Sequence, residues 1–257
     1  TVVSNVVVNA LKEGKKVLMS VLENPDQVAT RLASINSDMP LGWFLKPDQV
    51  SDANFASAKG ALESLKQWDN QLKVVGATPL ALLKSMAEKF KPDIVILDYL
   101  QKYAARYCNG KQGTKASEGG RAAREFGKLS IDCNAAGILL SQVSRRNEEA
   151  KGRRPAMEDL KESGDIENYA DVIMMLYWPW RDTRSEKKDP LLYEIDIAKN
   201  KLGPPQVTMS LRINPETLRI TDWKEAKNGS SEGTGTVRGE SSCAATEGGD
   251  GSTEGDS

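Results

Sequence analysis

The stretch Ile94-Val-Ile-Leu-Asp98-Tyr-Leu-Gln101 sets four apolar β-formers directly against an aspartate, with no charge between them. A short, wholly apolar run predicts a strand buried on both faces, the habit of parallel sheets in α/β proteins. Open sheets of that kind bind ligands beyond the C-terminal ends of their strands, and Asp98 falls at such an end. A carboxylate there can work with Mg²⁺ in nucleotide hydrolysis. It can equally be an aspartate that ends a strand and does nothing more.

Working outward, the same pattern recurs. Val17-Leu-Met-Ser-Val-Leu22 reads as a buried strand ending at Glu23, and Ile138-Leu-Leu-Ser-Gln142 as another. Helical periods separate them. Residues 2–13 place Val3, Val6, Val7, Ala10 and Leu11 on one face, with Gly14 as the stop. A helix follows Asn24-Pro-Asp26, and a polar helical stretch opens at Ser51. Leu72–Val75 reads as a short strand. Thr78-Pro79 reads as a cap and first position of a helix reaching about Lys89. Residues 109–120, Gly-rich and basic, read as a mobile loop, with a helix from about 121 to 135 ended by Gly137. Met157–Tyr169 is helical, and 172–177, 192–198 and 207–213 are strands, with Leu218–Ile220 extending the last pairing. Strands alternate with helices as far as 177 and then pair directly. This predicts an α/β fold: a mostly parallel sheet flanked by helices, with antiparallel strands at the C-terminal end.

Composition removes several chemistries. The 257 residues contain no histidine and only three cysteines, Cys108, Cys133 and Cys243, at spacings that suit neither a zinc site nor a disulfide framework. Ser-His and Cys-His nucleophiles are excluded with the histidine. A reducing cytoplasm, in a bacterial cell or a virus-infected host, is the expected setting. No apolar run approaches the roughly 20 residues that span a bilayer, so no membrane partner is expected. Residues 229–257 hold six acids against one base among Gly, Ser and Thr, which predicts a disordered tail. The remainder carries 34 basic and 30 acidic residues, a mildly basic body that suits a polyanion.

Glu23, Asp98 and Gln142 therefore end three buried strands. In a parallel sheet those ends share one edge. ATP hydrolysis needs such a set: a carboxylate for the attacking water, one for Mg²⁺ and its water shell, and a polar group that senses the γ-phosphate.

Five blocks in order carry a resemblance. They are Val17–Glu23, Ile96-Leu-Asp-Tyr-Leu-Gln101, Leu139-Leu-Ser-Gln-Val-Ser-Arg145, Leu160-Lys-Glu-Ser-Gly-Asp-Ile-Glu167 with Ala170-Asp-Val-Ile173, and Ile197-Ala-Lys-Asn-Lys-Leu-Gly-Pro204. With the closing Ile213–Ile220, they resemble the RecA-like motor domain of the DnaB-type replicative helicases over roughly residues 1–222. The resemblance implies a RecA-like core over 1–228 and ATP with Mg²⁺ as cofactors. It implies unwinding of duplex DNA at the replication fork by a homo-oligomeric, hexameric ring moving on single-stranded DNA. A primase or a loader is an implied partner. Matched by position, Glu23 activates water, Asp98 is the Walker B aspartate, and Gln142 couples nucleotide to the DNA loops. Lys161, Glu162 and Gly164 match the pore loop on the single-strand backbone. Lys199 and Lys201 match the pair that reaches a neighbouring subunit's γ-phosphate.

The sequence departs from the pattern in three places. Position 201 is usually an arginine finger and position 161 usually Arg; both are Lys, a point charge without a planar fork. No Gly-x-x-x-x-Gly-Lys-[Ser/Thr] occurs anywhere. Thr1 matches that loop's Thr or the residue after it, so the chain reads as a fragment whose phosphate loop was cut away, encoded separately or parted by an intein. Alone it is expected to be inactive. Rival readings are a filament-forming RecA-like recombinase and a non-catalytic DNA-binding remnant. The basic residues Lys111, Lys115, Arg121, Arg145, Arg146, Lys151, Arg153 and Arg154 read either as solvated charge or as loops that track a DNA backbone, Arg145 and Arg146 foremost. The Trp178-Pro-Trp180 pair reads as an interface or a loop anchor.

Overall fold

The structure is a computed structural model that describes residues 1–22, 25–108, 115–143, 153–183, 188–204 and 207–223. Its first half is a parallel sheet in the order β2-β1-β3-β4, formed by β1 (Val17–Val21), β2 (Leu72–Val75), β3 (Ile94–Asp98) and β4 (Ala136–Leu139). The register runs from Val17 opposite Ile94 to Val21 opposite Asp98. All five residues of β1 are buried, because helices cover both faces. On one side Val17, Met19 and Val21 meet Val7, Val8 and Leu11 of α1 (Val2–Lys12) and Val28, Leu32 and Ile35 of α2 (Asp26–Ser37). On the other, Leu18, Val95 and Leu97 meet a second apolar cluster. Its helices are α5 (Leu80–Phe90), α6 (Leu100–Tyr107) and α7 (Lys115–Asp132). Two further helices, α3 (Leu41–Leu45) and α4 (Asp52–Ser64), extend the first layer, and Ser51 caps α4 by accepting the Asn54 amide at 3.3 Å.

The second half is antiparallel, in the order β5-β6-β7-β8: β5 (Val172–Tyr177), β6 (Leu192–Asn200), β7 (Val207–Ile213) and β8 (Ile220–Asp222). α8 (Gly164–Tyr169) leads into β5, and α9 (Pro179–Thr183) follows it. The β7–β8 turn clasps the helices of the first half. Asn5, buried in α1, donates to the Leu218 carbonyl at 2.9 Å and accepts from the Ile220 amide at 2.9 Å. Ser34 of α2 donates to the Thr217 carbonyl at 3.1 Å, and Thr217 bonds the Asp38 carboxylate at 3.0 Å.

Several sequence expectations need correction. The buried face of α1 includes Asn5 and Val8, while Val6 is exposed, because the β7–β8 turn covers the side of the helix that Asn5 occupies. Thr78 does not cap α5; its hydroxyl turns back to the Gly76 carbonyl at 2.7 Å. Tyr103 serves that helix instead, its phenol oxygen accepting the Leu80 amide at 3.0 Å. Residues 115–120 belong to α7 rather than to a loop. Their glycines are helix-averse, but Gly119 and Gly120 are buried, and packing outweighs propensity there. The remainder of that expected loop, 109–114, and the tail from 224 lie outside the described residues. Gly137 sits inside β4 and does not end the preceding helix.

Candidate nucleotide site at the strand ends

Asp98 is the last residue of β3, opposite the last residue of β1. The Leu22 amide donates to the Asp98 carbonyl at 2.8 Å, which ties the segment leading to Glu23 against the aspartate. Glu23 itself lies outside the described residues. The peptide joining Asp98 to Tyr99 is cis. Beyond it α6 begins, and its first turn binds the end of β4. The Leu100 amide donates to the Leu140 carbonyl at 2.9 Å. Gln101 holds Gln142 through two backbone bonds, accepting its amide at 2.9 Å and donating to its carbonyl at 3.0 Å. It also donates to the Ser141 hydroxyl at 2.9 Å. β4 ends at Leu139, so Gln142 lies three residues past the strand rather than on its last position. Gln101 clamps that extension, a role the Asp-Tyr-Leu-Gln block carried in its fourth residue.

Thr1 joins this rim from the start of α1. Desolvation, the main cause, pushes its amino group below the ordinary value. The Arg31 charge acts the same way, the Asp98 charge opposes, and the Arg181 charge adds to the depression. Thr1 and Val2 also line a cavity of about 360 Å³ with Leu176, Tyr177, Trp178, Arg181, Asp182 and Tyr193. The C-terminal ends of β3 and β5 thus converge on one helix start. Trp178 makes the internal contacts of a loop anchor: its indole donates to the Pro190 carbonyl at 2.9 Å and packs 6.2 Å from the Tyr193 ring, while Trp180 is exposed. The Arg181 guanidinium lies 5.7 Å over the Trp178 ring. Arg31, Arg181 and Tyr193 carried no sequence signal of their own. The nearest clue was Trp-Pro-Trp-Arg directly after a predicted strand.

Lys199 and Lys201 lie elsewhere. β6 runs antiparallel to β5, with Tyr177 opposite Glu194 and Val172 opposite Asn200, so both lysines fall at the end of the sheet remote from Thr1. The Lys199 ammonium donates to the Glu167 carbonyl, and Lys201 pairs with Asp171 at 2.8 Å. The hydrogen bond from Lys201, and then its charge, hold the Asp171 carboxyl below its usual value. Neither lysine shares the rim of its own chain.

Of the proposed DNA contacts, Arg145 and Arg146 lie outside the described residues. Lys161 and Glu162 lie in the last turn of a 3₁₀ helix (Met157–Ser163), and Gly164 opens α8. Three of the other basic residues have internal partners. Arg121 donates to the Cys108 carbonyl at 2.8 Å, Arg153 pairs with Asp159 at 2.9 Å, and Arg154 forks onto the buried Glu194 carboxylate.

Among the described residues no group of three or more Cys, Asp and Glu side chains could hold a metal ion on its own. Asp98, at the C-terminal end of β3, offers a carboxylate, the oxygen donor type that Mg²⁺ takes. No described helix is long and apolar enough to cross a membrane.

Comparison with known proteins matches residues 1–222 to the DnaB-like helicase C-terminal domain. A probable plasmid replicative DNA helicase of Chlamydia psittaci is 29% identical over 228 residues, covering 84% of this chain and 47% of that protein. The replicative DNA helicase DnaC of Bacillus subtilis is 33% identical over 112 residues, covering 43% of this chain and 24% of that protein. The chain thus spans about half the length, or less, of the curated relatives it matches. Among solved structures, a DnaB-like replicative helicase described with its primase interactions superposes with a TM-score of 0.70 at 21% identity, covering 83% of this chain and 52% of that one. The ATPase domain of G40P superposes at 0.68 with 24% identity, covering 84% of this chain and 78% of that one. Both likenesses establish the RecA-like fold.

Proposed function

The chain belongs to the DnaB-like helicase C-terminal domain family, and from that premise we propose that residues 1–228 are the motor core of a ring-forming, ATP-driven enzyme. It unwinds duplex DNA at the replication fork while moving along single-stranded DNA, with 229–257 as a tail. The observation that carries this reading is the rim itself. Asp98 ends β3, paired with the last residue of β1, and its carbonyl holds the Leu22 amide, next to Glu23. ATP supplies the phosphoanhydride and Mg²⁺ its counter-charge when bound. Asp98 and Thr1 are the residues that would hold them.

The chain's own groups then divide the work. Glu23 orients a water and takes its proton. Gln142, held through its backbone by Gln101, passes the state of the rim to the segment carrying Arg145 and Arg146. Those residues, with Lys161, Glu162 and Gly164, track the single-strand backbone by charge and amide contacts. Lys199 and Lys201 act on the neighbouring subunit's nucleotide, which supports a closed homo-oligomer, six-membered by family analogy. A primase or loader is the partner such a ring would need, and cytoplasm is its setting.

The test is unwinding of a forked duplex by the intact protein that carries this domain. ATP-dependent strand separation is expected, lost in Asp98→Asn, with DNA affinity falling steeply as salt rises. Strand separation that persists in Asp98→Asn would refute the assignment.

A further inference from the structure

The segment from Arg154 to Asp171 carries Lys161, Glu162 and Gly164 in its middle. It is held at both ends by β6 and the residue that follows it. At the first end the Arg154 guanidinium forks onto the buried Glu194 carboxylate. Arg153 pairs with Asp159, whose carboxylate also accepts the Ala156 amide at 2.8 Å, which fixes the chain leading into the 3₁₀ helix. At the second end two lysines do the holding. Lys199 donates to the Glu167 carbonyl in the last turn of α8, and Lys201 pairs at 2.8 Å with Asp171, two residues beyond that helix. The Lys201 amide also donates to the Asp171 carbonyl at 2.9 Å.

The two ends differ in strength. The Glu194 side chain is 10% exposed and takes a two-pronged guanidinium, the stronger and more directional kind of ion pair. Lys201 and Asp171 are 46% and 74% exposed, and a pair so open to water is held weakly. Lys199 adds a bond to a carbonyl at a helix end, where a stronger anion can take the ammonium instead. Packing does not replace these holds. Ile166 is buried against α7, but Glu167, Asn168 and Tyr169 are exposed.

We propose that Asp171 is a positioning residue: it parks Lys201 on its own subunit, closing the second end of the segment, and yields the lysine to a phosphate of a neighbouring copy's nucleotide. A lysine that reaches across to another copy has to leave the carboxylate on its own. The same phosphate draws on Lys199, so α8 is released at its C-terminal end while Arg154 stays on Glu194. The residues between, Lys161 to Gly164, then shift about the Glu194 fork as about a hinge. The hold stands on the geometry alone. Its hand-over to phosphate rests on the function proposed above.

Two measurements separate the hold from the hand-over. On the 257-residue chain without nucleotide, amide hydrogen exchange reads the hold. Asp171→Asn and Lys201→Ala should each speed exchange at Ala170, whose amide donates to the Ile166 carbonyl at 3.1 Å, by about two- to fivefold, the range an exposed ion pair supplies. The Cys133 amide, bonded to the Leu129 carbonyl of α7, should not change. On the intact protein that carries this domain, single-strand-stimulated ATP turnover reads the hand-over. Asp171→Asn removes the competitor for Lys201, so the ATP concentration for half-maximal turnover should fall by about two- to fivefold, and Asp171→Glu should keep the wild-type value. Unchanged exchange at Ala170, or equal acceleration at Cys133, would overturn the hold. An ATP requirement that is unchanged or raised in Asp171→Asn would overturn the hand-over. Faster exchange at Ala170 in both variants, with no ATP turnover by the wild-type intact protein, would uphold the hold and remove the motor.

Discussion

At the scale of single residues, two buried polar side chains matter more than their types suggest. Asn5 sits among valines in α1, yet it is the bolt between the two halves, bonding the Leu218 carbonyl and the Ile220 amide. Removing it leaves both groups without that partner in a part-buried site, a loss of about 2–3 kcal/mol. Asn5→Ala should lower the denaturant midpoint accordingly; an unchanged midpoint would show that the turn is held by Ser34 and Asp38 alone. Tyr193 gives a pH signature. Burial pushes its phenol up to about 12, against an opposing pull from Arg181. The folded state therefore keeps the proton longer than the unfolded chain, whose tyrosine titrates near 10. Its contribution is complete below pH 10 and is lost as pH rises toward 12, by about 2–3 kcal/mol. Unfolding curves at pH 9 and pH 12 should show this fall in the wild type, and Tyr193→Phe should flatten it. An equal fall in the variant would assign the loss to other groups.

At the scale of elements, the join of α7 to β4 is the tightest point of the parallel half. A Cβ built on Gly137 would lie 2.3 Å from the Ser130 hydroxyl, 3.0 Å from its Cβ and 3.2 Å from the Phe126 ring. Gly137→Ala should therefore destabilise the fold by about 1–3 kcal/mol. Adding Ser130→Ala, which removes only the closest atom, should recover part of that loss in a double-mutant cycle. Full additivity would contradict the packing described. Strands were the legible elements: the apolar runs at 17–21 and 95–97 carry their burial in their composition, whereas the equally apolar run at 172–177 forms its strand with alternate residues exposed. Helix starts were less so. The α5 start depends on Tyr103, a residue of another helix, and the first turn of α7 depends on burial of two glycines that local propensity disfavours. Of the rim, Asp98 was readable from the run that precedes it. Gln101, Arg31 and Arg181 were not, because their parts depend on which chain segments tertiary packing brings together.

At the scale of the whole molecule, the residues proposed above to serve the nucleotide lie in two groups at opposite ends. Thr1 and Asp98 lie at the C-terminal ends of the strands, while Lys199 and Lys201 lie at the far end of β6, where Lys201 pairs with Asp171. A single copy cannot bring them together without dismantling its sheet. In the proposed ring a second copy supplies them. A lysine finger lacks the bidentate fork of arginine, so Lys201→Arg in the intact protein should raise turnover several-fold or more. An unchanged rate would place another residue at the phosphate. Completion of the proposed site between copies is measured most directly by mixing two dead variants of the intact protein. Asp98→Asn and Lys201→Ala should each abolish single-strand-stimulated ATP turnover alone. Mixed, they pair a sound Asp98 on one subunit with a sound Lys201 on its neighbour, and turnover should return. Wild-type turnover in either variant alone, or a mixture that stays inactive although both variants assemble, would contradict it.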